Sequence, residues 1–143
     1  MNSFTLYLEE YKDDSELFKH GIHFKNSVFI KLLIDGEDIE QQSGFEDALV
    51  VFDELVKSME ASGKYLIFTC ACGVAEDGGW EGVDVTINEN DVKWEFEVGD
   101  KVYKYTFDKN EYLSEVQSII LPIEKTDLKV EPRSVVYPGN FIR

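Results

Sequence analysis

The sequence has little positive charge and few cysteines. Its 143 residues include 14 Lys and Arg against 29 Asp and Glu, a formal net charge of −15. Because this charge repels phosphate backbones and anionic membrane surfaces, binding to nucleic acids or to membranes is disfavoured as a primary role. Two cysteines are too few for a disulfide framework. No segment approaches the roughly 18 consecutive apolar residues of a transmembrane helix.

The composition is nevertheless that of a folded chain. Apolar types make up 43% of the residues and aromatic types 13%, which a disordered acidic chain would not carry. The length fits one domain with its own core. Residues 1–11 have no basic region and include Glu9 and Glu10, unlike a signal peptide, so we expect a cytoplasmic protein.

The hydrophobic pattern predicts an α+β fold. Apolar residues alternate with polar ones, or form β-branched runs, in segments that read as strands. The segments are 4–8, 28–34, 65–69, 83–87, 92–98 and 103–107. Period-two alternation in the last three is typical of antiparallel hairpins with one buried and one wet face. We therefore expect one antiparallel sheet of about five to six strands, with two helices packed on one face.

Two capping boxes mark the helices. Ser43 and Glu46 precede apolar residues at helical spacing over 45–59, and Gly63 is a plausible C-cap. Asp108 and Glu111 predict the start of a second helix, which Pro122 is expected to limit.

Two segments are predicted to lie outside the core, one between the first two strands and one after residue 124. Asp13, Asp14 and Glu16 predict an exposed connection between the first two strands. Residues 125–143 contain four basic and two acidic residues, and too few periodic apolar positions for a core element. We therefore predict a single α+β domain over 1–124 and a Pro-containing basic tail over 125–143.

The only soft metal ligands besides the methionines are Cys70, Cys72, His20 and His23. They make a Cys2His2 set by composition, but their spacing matches no standard zinc finger or ribbon. The simpler interpretation is two thiols in a loop and two surface histidines, so we expect no metal and no cofactor. A histidine could also activate a cysteine nucleophile, although nothing local favours this. A carboxylate pair in a cleft cannot be recognised among 29 acidic residues, and we predict that the chain is not an enzyme.

The cysteine loop resembles that of a set of small bacterial proteins of uncharacterised function. These carry Thr-Cys-x-Cys-Gly, then Glu-Gly-Val-x-Val, then a Trp on the next strand. The matching residues here are Thr69, Cys70, Cys72 and Gly73, then 81–85, then Trp94. A further cysteine of that pattern is replaced by Glu76, Asp77 and Gly78. The resemblance covers residues 65–113, about one third of the chain.

In size, acidity and α+β build the chain is also similar to immunity proteins encoded beside polymorphic toxins, including those of contact-dependent inhibition systems. This resemblance implies a non-enzymatic protein that neutralises a basic toxin, with a nuclease as one candidate. An acidic partner would mimic the field of nucleic acid and block the basic cleft.

Two acidic elements are predicted to contact such a partner. One is an exposed helix stripe, and the other is a loop with an aromatic anchor in a polar rim. The residues are Glu46, Asp47, Asp53 and Glu54 on the helix, and Glu76, Asp77, Trp80 and Glu81 in the loop. Trp80 could equally plug the end of the sheet, and the acidity could serve solubility alone.

The alternative function is a metal- or small-ligand-binding module built on Cys70 and Cys72. Elemental analysis would distinguish the two, because stoichiometric zinc that is lost on Cys70→Ser would favour this module.

Overall fold

The computed structural model describes residues 1–19, 22–41, 48–69, 82–98, 101–135 and 137, with the backbone alone for 12–19 and 22–25. The described part contains ten strands, two α-helices and one 3-10 turn. They are β1 (Phe4–Lys19), β2 (Ile22–Ile34), β3 (Glu37–Asp38), the 3-10 turn (Ile39–Gln41), β4 (Leu49–Val50), α1 (Phe52–Lys57), β5 (Gly63–Tyr65), β6 (Phe68–Thr69), β7 (Val83–Ile87), β8 (Asp91–Val98), β9 (Lys101–Asp108), α2 (Lys109–Lys125) and β10 (Lys129–Val130).

The α+β class, the antiparallel pairing and the two helices are confirmed, but the strands do not form one sheet. One sheet has the order β1-β2-β10 with β3 also paired to β2, a second has the order β5-β7-β8-β9, and β4 pairs with β6 separately. A parallel bridge between Asn2 and Phe107 links β9 to the residues before β1. The prediction of a single sheet of five to six strands is wrong, because alternation identifies strands but not the edges at which they pair.

The first hairpin is longer than its sequence pattern suggests. β1 runs from Phe4 to Lys19 and pairs antiparallel with β2, with a register shift between Tyr11 and Glu16. The exposed connection predicted at Asp13, Asp14 and Glu16 is therefore wrong. The pairs Tyr11–Ser27 and Glu16–Lys25 continue β1 on both sides of the register shift. Polar residues are accepted there because a two-stranded ribbon does not require apolar residues on both faces.

The helix predicted over 45–59 is also shorter than expected. Ser43 and Glu46 lie outside the described residues, β4 occupies 49–50, and α1 spans only Phe52–Lys57. Gly63 lies in β5, and Ser58 is the C-cap of α1. The amides of Phe52 and Asp53 donate to the carbonyls of Pro132 and Arg133, at 3.2 and 2.8 Å. A distant segment thus satisfies the start of α1, and this long-range contact overrides the local helical pattern.

The second helix begins where predicted. The Asp108 side chain accepts a hydrogen bond from the Glu111 amide at 2.9 Å, which confirms the N-cap. The expectation that Pro122 ends the helix is wrong, because α2 continues to Lys125. Pro122 is exposed near the C-terminal end of α2, where the helix continues for only three more residues and the loss of one amide hydrogen bond is tolerated.

Part of the predicted basic tail contributes to the core. β10 pairs in parallel with β2, and Val130 and Val135 are buried. The expectation that this stretch supplies no core element is therefore wrong, whereas the boundary between 124 and 125 stays a prediction. Within the described ranges, no helix is long and apolar enough to cross a membrane.

Candidate functional site

Most of the predicted site residues lie outside the described part of the chain. This applies to Cys70, Cys72 and His20, and to the contact residues Glu46, Asp47, Glu76, Asp77, Trp80 and Glu81. His23 lies in β2, opposite Phe18, with only its backbone described. The roles assigned to all these residues stay predictions.

The two remaining contact residues, Asp53 and Glu54, lie in α1 with different exposures. Asp53 is half-buried, whereas Glu54 is 1% exposed. The Glu54 carboxylate accepts hydrogen bonds from the Leu66 amide at 2.8 Å and from the Tyr137 hydroxyl at 2.7 Å. The expectation that Glu54 lies on an exposed stripe is wrong, because its buried carboxylate accepts hydrogen bonds from these two internal donors.

The described residues place another acidic surface on the outer face of the first hairpin. We call it the tyrosine–carboxylate face, and it consists of Tyr7, Glu9, Tyr11, Lys31, Asp38 and Glu40. Alternate residues of a strand share a face, so the odd-numbered residues of β1 lie opposite those of β2. Tyr7 of β1 pairs with Lys31 of β2. Asp38 of β3 pairs with Leu33, which follows Lys31 on the same side of β2. The even-numbered residues Phe4 and Leu6 point into the core.

Tyr11 is held in place on this face. Its hydroxyl donates to a Glu9 carboxylate oxygen. Its ring meets the ring of Phe29 edge-on, with 5.6 Å between centroids, and Phe29 is itself buried against Leu49. Tyr7 is less covered, with 41% of its surface exposed. The face therefore presents one ordered and one accessible tyrosine.

Lys31 is the only cation among the six residues that define this face. Its ammonium group lies 3.1 Å from a Glu40 carboxylate oxygen and 3.9 Å from an Asp38 oxygen. Asp38 also accepts a hydrogen bond from the Glu40 amide at 2.9 Å. Burial lowers the pKa of Lys31, but its hydrogen bond to Glu40 and the surrounding carboxylates raise it overall. Three carboxylates thus face one ammonium group, and the face keeps a negative field.

The negative charges of this face also raise the pKa of Tyr11. Burial, the hydrogen bond to Glu9 and the charges of Glu9 and Glu40 raise it from 10.0 to about 12. A phenolate would be both desolvated and repelled at this position, so the hydroxyl stays protonated.

The raised pKa of Tyr11 predicts a pH-dependent contribution to stability. The folded protein retains the phenolic proton more firmly than the unfolded chain does, so this contribution is complete below pH 10.0 and is lost as the pH rises towards about 12. Urea unfolding at several pH values should show the stability advantage of wild type over Tyr11→Phe shrinking through this window. An advantage that does not change with pH would contradict the assignment.

A second polar surface lies on the wet face of the other sheet. A depression of about 330 Å³ there is lined by charges of both signs, Asp84, Lys93, Glu95 and Lys104, together with neighbouring polar side chains. Asp84 lies directly opposite Glu95 across the β7–β8 pair. The ammonium nitrogen of Lys104 lies 3.9 Å from a carboxylate oxygen of Glu95. Two ammonium groups balance two carboxylates in the lining of this depression, so its charges sum to zero.

The sequence patterns did not lead to a prediction of the tyrosine–carboxylate face. The alternation of Tyr7, Glu9 and Tyr11 was a usable signal, since it places three polar or amphipathic side chains on one face of a strand. The pairing of that strand with Lys31 and Asp38 depends on register, which the sequence pattern does not specify.

Comparison with known proteins does not extend this picture. No protein-family model, no curated protein and no solved structure matches the chain. Among the residues that the structure describes, no three His, Cys, Asp or Glu side chains are grouped so that they could hold a metal ion.

Proposed function

We propose that the chain is a non-enzymatic binding protein that neutralises a basic protein partner in the cytoplasm, most concretely as an immunity protein for a toxin domain with a basic, phosphate-binding cleft. The observation that carries this proposal is the tyrosine–carboxylate face. It combines an accessible aromatic ring with carboxylates on paired strands, within a chain of net charge −15.

Charge supports a basic partner. Complementary fields accelerate association and exclude like-charged competitors, and their effect decreases as salt rises. The tyrosine–carboxylate face keeps an excess of negative charge, whereas the four charged residues that line the depression on β7, β8 and β9 sum to zero. The first of these two surfaces is therefore the better match for a cationic cleft.

The tyrosines support a protein as the partner. Tyr is enriched at protein interfaces because its ring offers contact area while its hydroxyl forms hydrogen bonds. Tyr11 is oriented by Glu9 and Phe29 before any partner binds. Such pre-organisation lowers the entropy cost of binding. Tyr7 supplies the exposed contact.

The test is binding to basic toxin domains encoded beside this chain. We expect a complex whose dissociation constant rises with salt, and we expect Tyr7→Ala to weaken it about thirtyfold, as for an interfacial aromatic anchor. The double variant Glu9→Gln, Glu40→Gln should slow association about tenfold while its amide oxygens still accept hydrogen bonds. Isothermal titration calorimetry and stopped-flow kinetics give these two quantities.

Matched controls lie elsewhere on the surface. Val102 is 49% exposed on β9, and Glu97 and Glu124 are exposed on β8 and α2. Val102→Ala and the double variant Glu97→Gln, Glu124→Gln should bind as wild type does. The proposal fails if no neighbouring basic domain binds, or if the control variants weaken binding as much as the variants of the face.

A further inference from the structure

The C-terminal segment of the chain lies across α1. We call residues 132–135 and 137 the strap. It follows Glu131, whose amide donates to the Val28 carbonyl at 3.0 Å. The amides of Phe52 and Asp53, at the start of α1, donate to the carbonyls of the first two strap residues. The strap therefore contacts α1 through its backbone, in the way that a bound peptide contacts its receptor.

Two strap side chains also contact this region. The Arg133 guanidinium lies over the Phe52 ring, 5.5 Å from its centroid. Val135 is buried against Val51 and Leu66. The strap thus places a cation on an aromatic ring and an aliphatic side chain in a small apolar pocket.

Tyr137 completes the contact. Its hydroxyl donates to one oxygen of the Glu54 carboxylate at 2.7 Å and accepts from the Lys57 ammonium group at 3.2 Å. The same ammonium group lies 5.8 Å from the centroid of the Tyr137 ring. Glu54 is 1% exposed, whereas Tyr137 is 42% exposed. A buried carboxylate is therefore hydrogen-bonded by a side chain that stays in contact with solvent.

The surface beneath the strap is held together without it. We call this surface the strap groove, and it consists of Val51, Phe52, Glu54 and Leu66. The second Glu54 oxygen accepts from the Leu66 amide at 2.8 Å, and the Val51 amide donates to the Ile67 carbonyl at 2.8 Å. Neither bond involves the strap, so the strap can leave by local opening while the groove keeps its shape.

From these contacts we infer that the strap groove is a docking site for a segment of the basic partner, and that the strap keeps it closed until this segment displaces it. The inference rests on the proposed function and adds a second contact surface to it. The strap indicates the chemistry of the incoming segment, because the same groove must accept both. We expect an Arg or Lys, an aliphatic residue and a Tyr at alternate positions.

The charges around the groove favour a basic segment over an acidic one. α1 contains two carboxylates, Asp53 and Glu54, against one ammonium group, Lys57. An acidic side chain in place of the strap cation would lie near these carboxylates and lose the contact with the Phe52 ring. A Tyr in the incoming segment would restore the donor that Glu54 loses with Tyr137, so the buried carboxylate keeps this hydrogen bond.

The test uses a synthetic peptide with blocked ends, Pro-Arg-Ser-Val-Val-Tyr, which has the sequence of residues 132–137. In the wild-type chain the peptide competes with the strap, because it binds only those molecules in which the groove is open. Tyr137→Ala weakens the strap, so this variant should bind the peptide about tenfold more tightly than wild type does. The chemical shift of the Leu66 amide, followed by NMR during a titration, gives the dissociation constant.

The controls are a matched variant and a second peptide. Tyr7→Ala removes a tyrosine of nearly equal exposure, 41% against 42%, from the tyrosine–carboxylate face. This variant should bind the peptide as wild type does. The peptide Pro-Arg-Ser-Asp-Val-Tyr places a carboxylate where Val135 fills the apolar pocket, so it should bind neither wild type nor Tyr137→Ala.

A second measurement uses the wild-type chain alone. The Asp53 amide donates to the strap, whereas the Trp94 amide lies in β8, in the interior of the second sheet. If the strap opens locally, hydrogen exchange should give Asp53 a protection factor about tenfold lower than that of Trp94. Equal protection factors would show that the strap opens only when the whole protein unfolds, which would overturn the inference.

The basic toxin domain separates this inference from the proposed function. If the domain binds, Tyr137→Ala should bind it about threefold more tightly than wild type, because less of the strap contact has to be broken. A domain that binds both equally overturns the inference and leaves the proposed function intact. If no basic domain binds but Tyr137→Ala binds the peptide more tightly than wild type, the proposed function fails and recognition by the groove survives. A peptide that binds both chains equally, or neither, overturns the inference.

Discussion

Replacing Trp94 by alanine is expected to lower the free energy of unfolding by about 4 kcal/mol, which is typical of the truncation of a buried Trp or Phe. Trp94 is 1% exposed and meets four rings edge-on, with centroids 5.3 to 6.2 Å away. These rings come from β1, β6, β9 and α2, so the substitution opens a cavity where both large sheets meet the long helix. The rings are Phe4, Phe68, Phe107 and Tyr112.

The measurement is urea unfolding followed by circular dichroism. Tyr112→Phe is the control, because it keeps the ring and removes only the hydroxyl, which bonds Ser58 at 2.6 Å and accepts from the Trp94 indole at 3.3 Å. We expect it to cost about 1 kcal/mol. A loss for Trp94→Ala no larger than that of the control would mean that the surrounding rings collapse into the cavity.

Truncation of Glu54 is expected to cost about 3 kcal/mol, a large effect for an acidic residue in a chain with an excess of negative charge. Its carboxylate is the acceptor for the Leu66 amide, and Leu66 is fully buried. Glu54→Ala would leave that amide without a partner and would release the Tyr137 hydroxyl. A model based on charge alone predicts the opposite sign, since removing an acidic residue reduces repulsion.

Three variants distinguish these causes in thermal and urea unfolding. Glu54→Gln keeps an oxygen for the Leu66 amide and should lose much less stability than Glu54→Ala. Tyr137→Phe removes the hydroxyl that donates to Glu54 and accepts from the Lys57 ammonium group at 3.2 Å, and it should cost about 1 kcal/mol. Glu60→Ala, at an exposed glutamate just after α1, should be nearly neutral. Equal effects of Glu54→Ala and Glu60→Ala would show that the buried hydrogen bonds contribute nothing.

Glu54 and Glu40 illustrate what a sequence cannot tell about a carboxylate. Both are acidic residues in segments where acidic residues are frequent. Glu54 accepts hydrogen bonds from the Leu66 amide and the Tyr137 hydroxyl, whereas Glu40 forms an ion pair with Lys31 on the tyrosine–carboxylate face. The difference arises from residues more than eighty positions away in the first case, and from the register of β2 and β3 in the second.

The sequence by itself determined the features that depend on neighbouring residues. These are the excess of negative charge, the α+β class, the strands over 83–87 and 92–98, and the N-cap at Asp108. Each follows from alternation, capping or composition within a few residues, and tertiary contacts do not oppose it.

Only the tertiary structure decided how these elements meet. The division into separate sheets, the short α1 capped by carbonyls of 132–133, and the glutamates of α2 on the edge of β1 all join distant parts of the chain. The physical reason is that backbone amides and carbonyls of every residue are chemically alike. Which of them pair is decided by the packing of the whole core rather than by the side chains next to them in sequence.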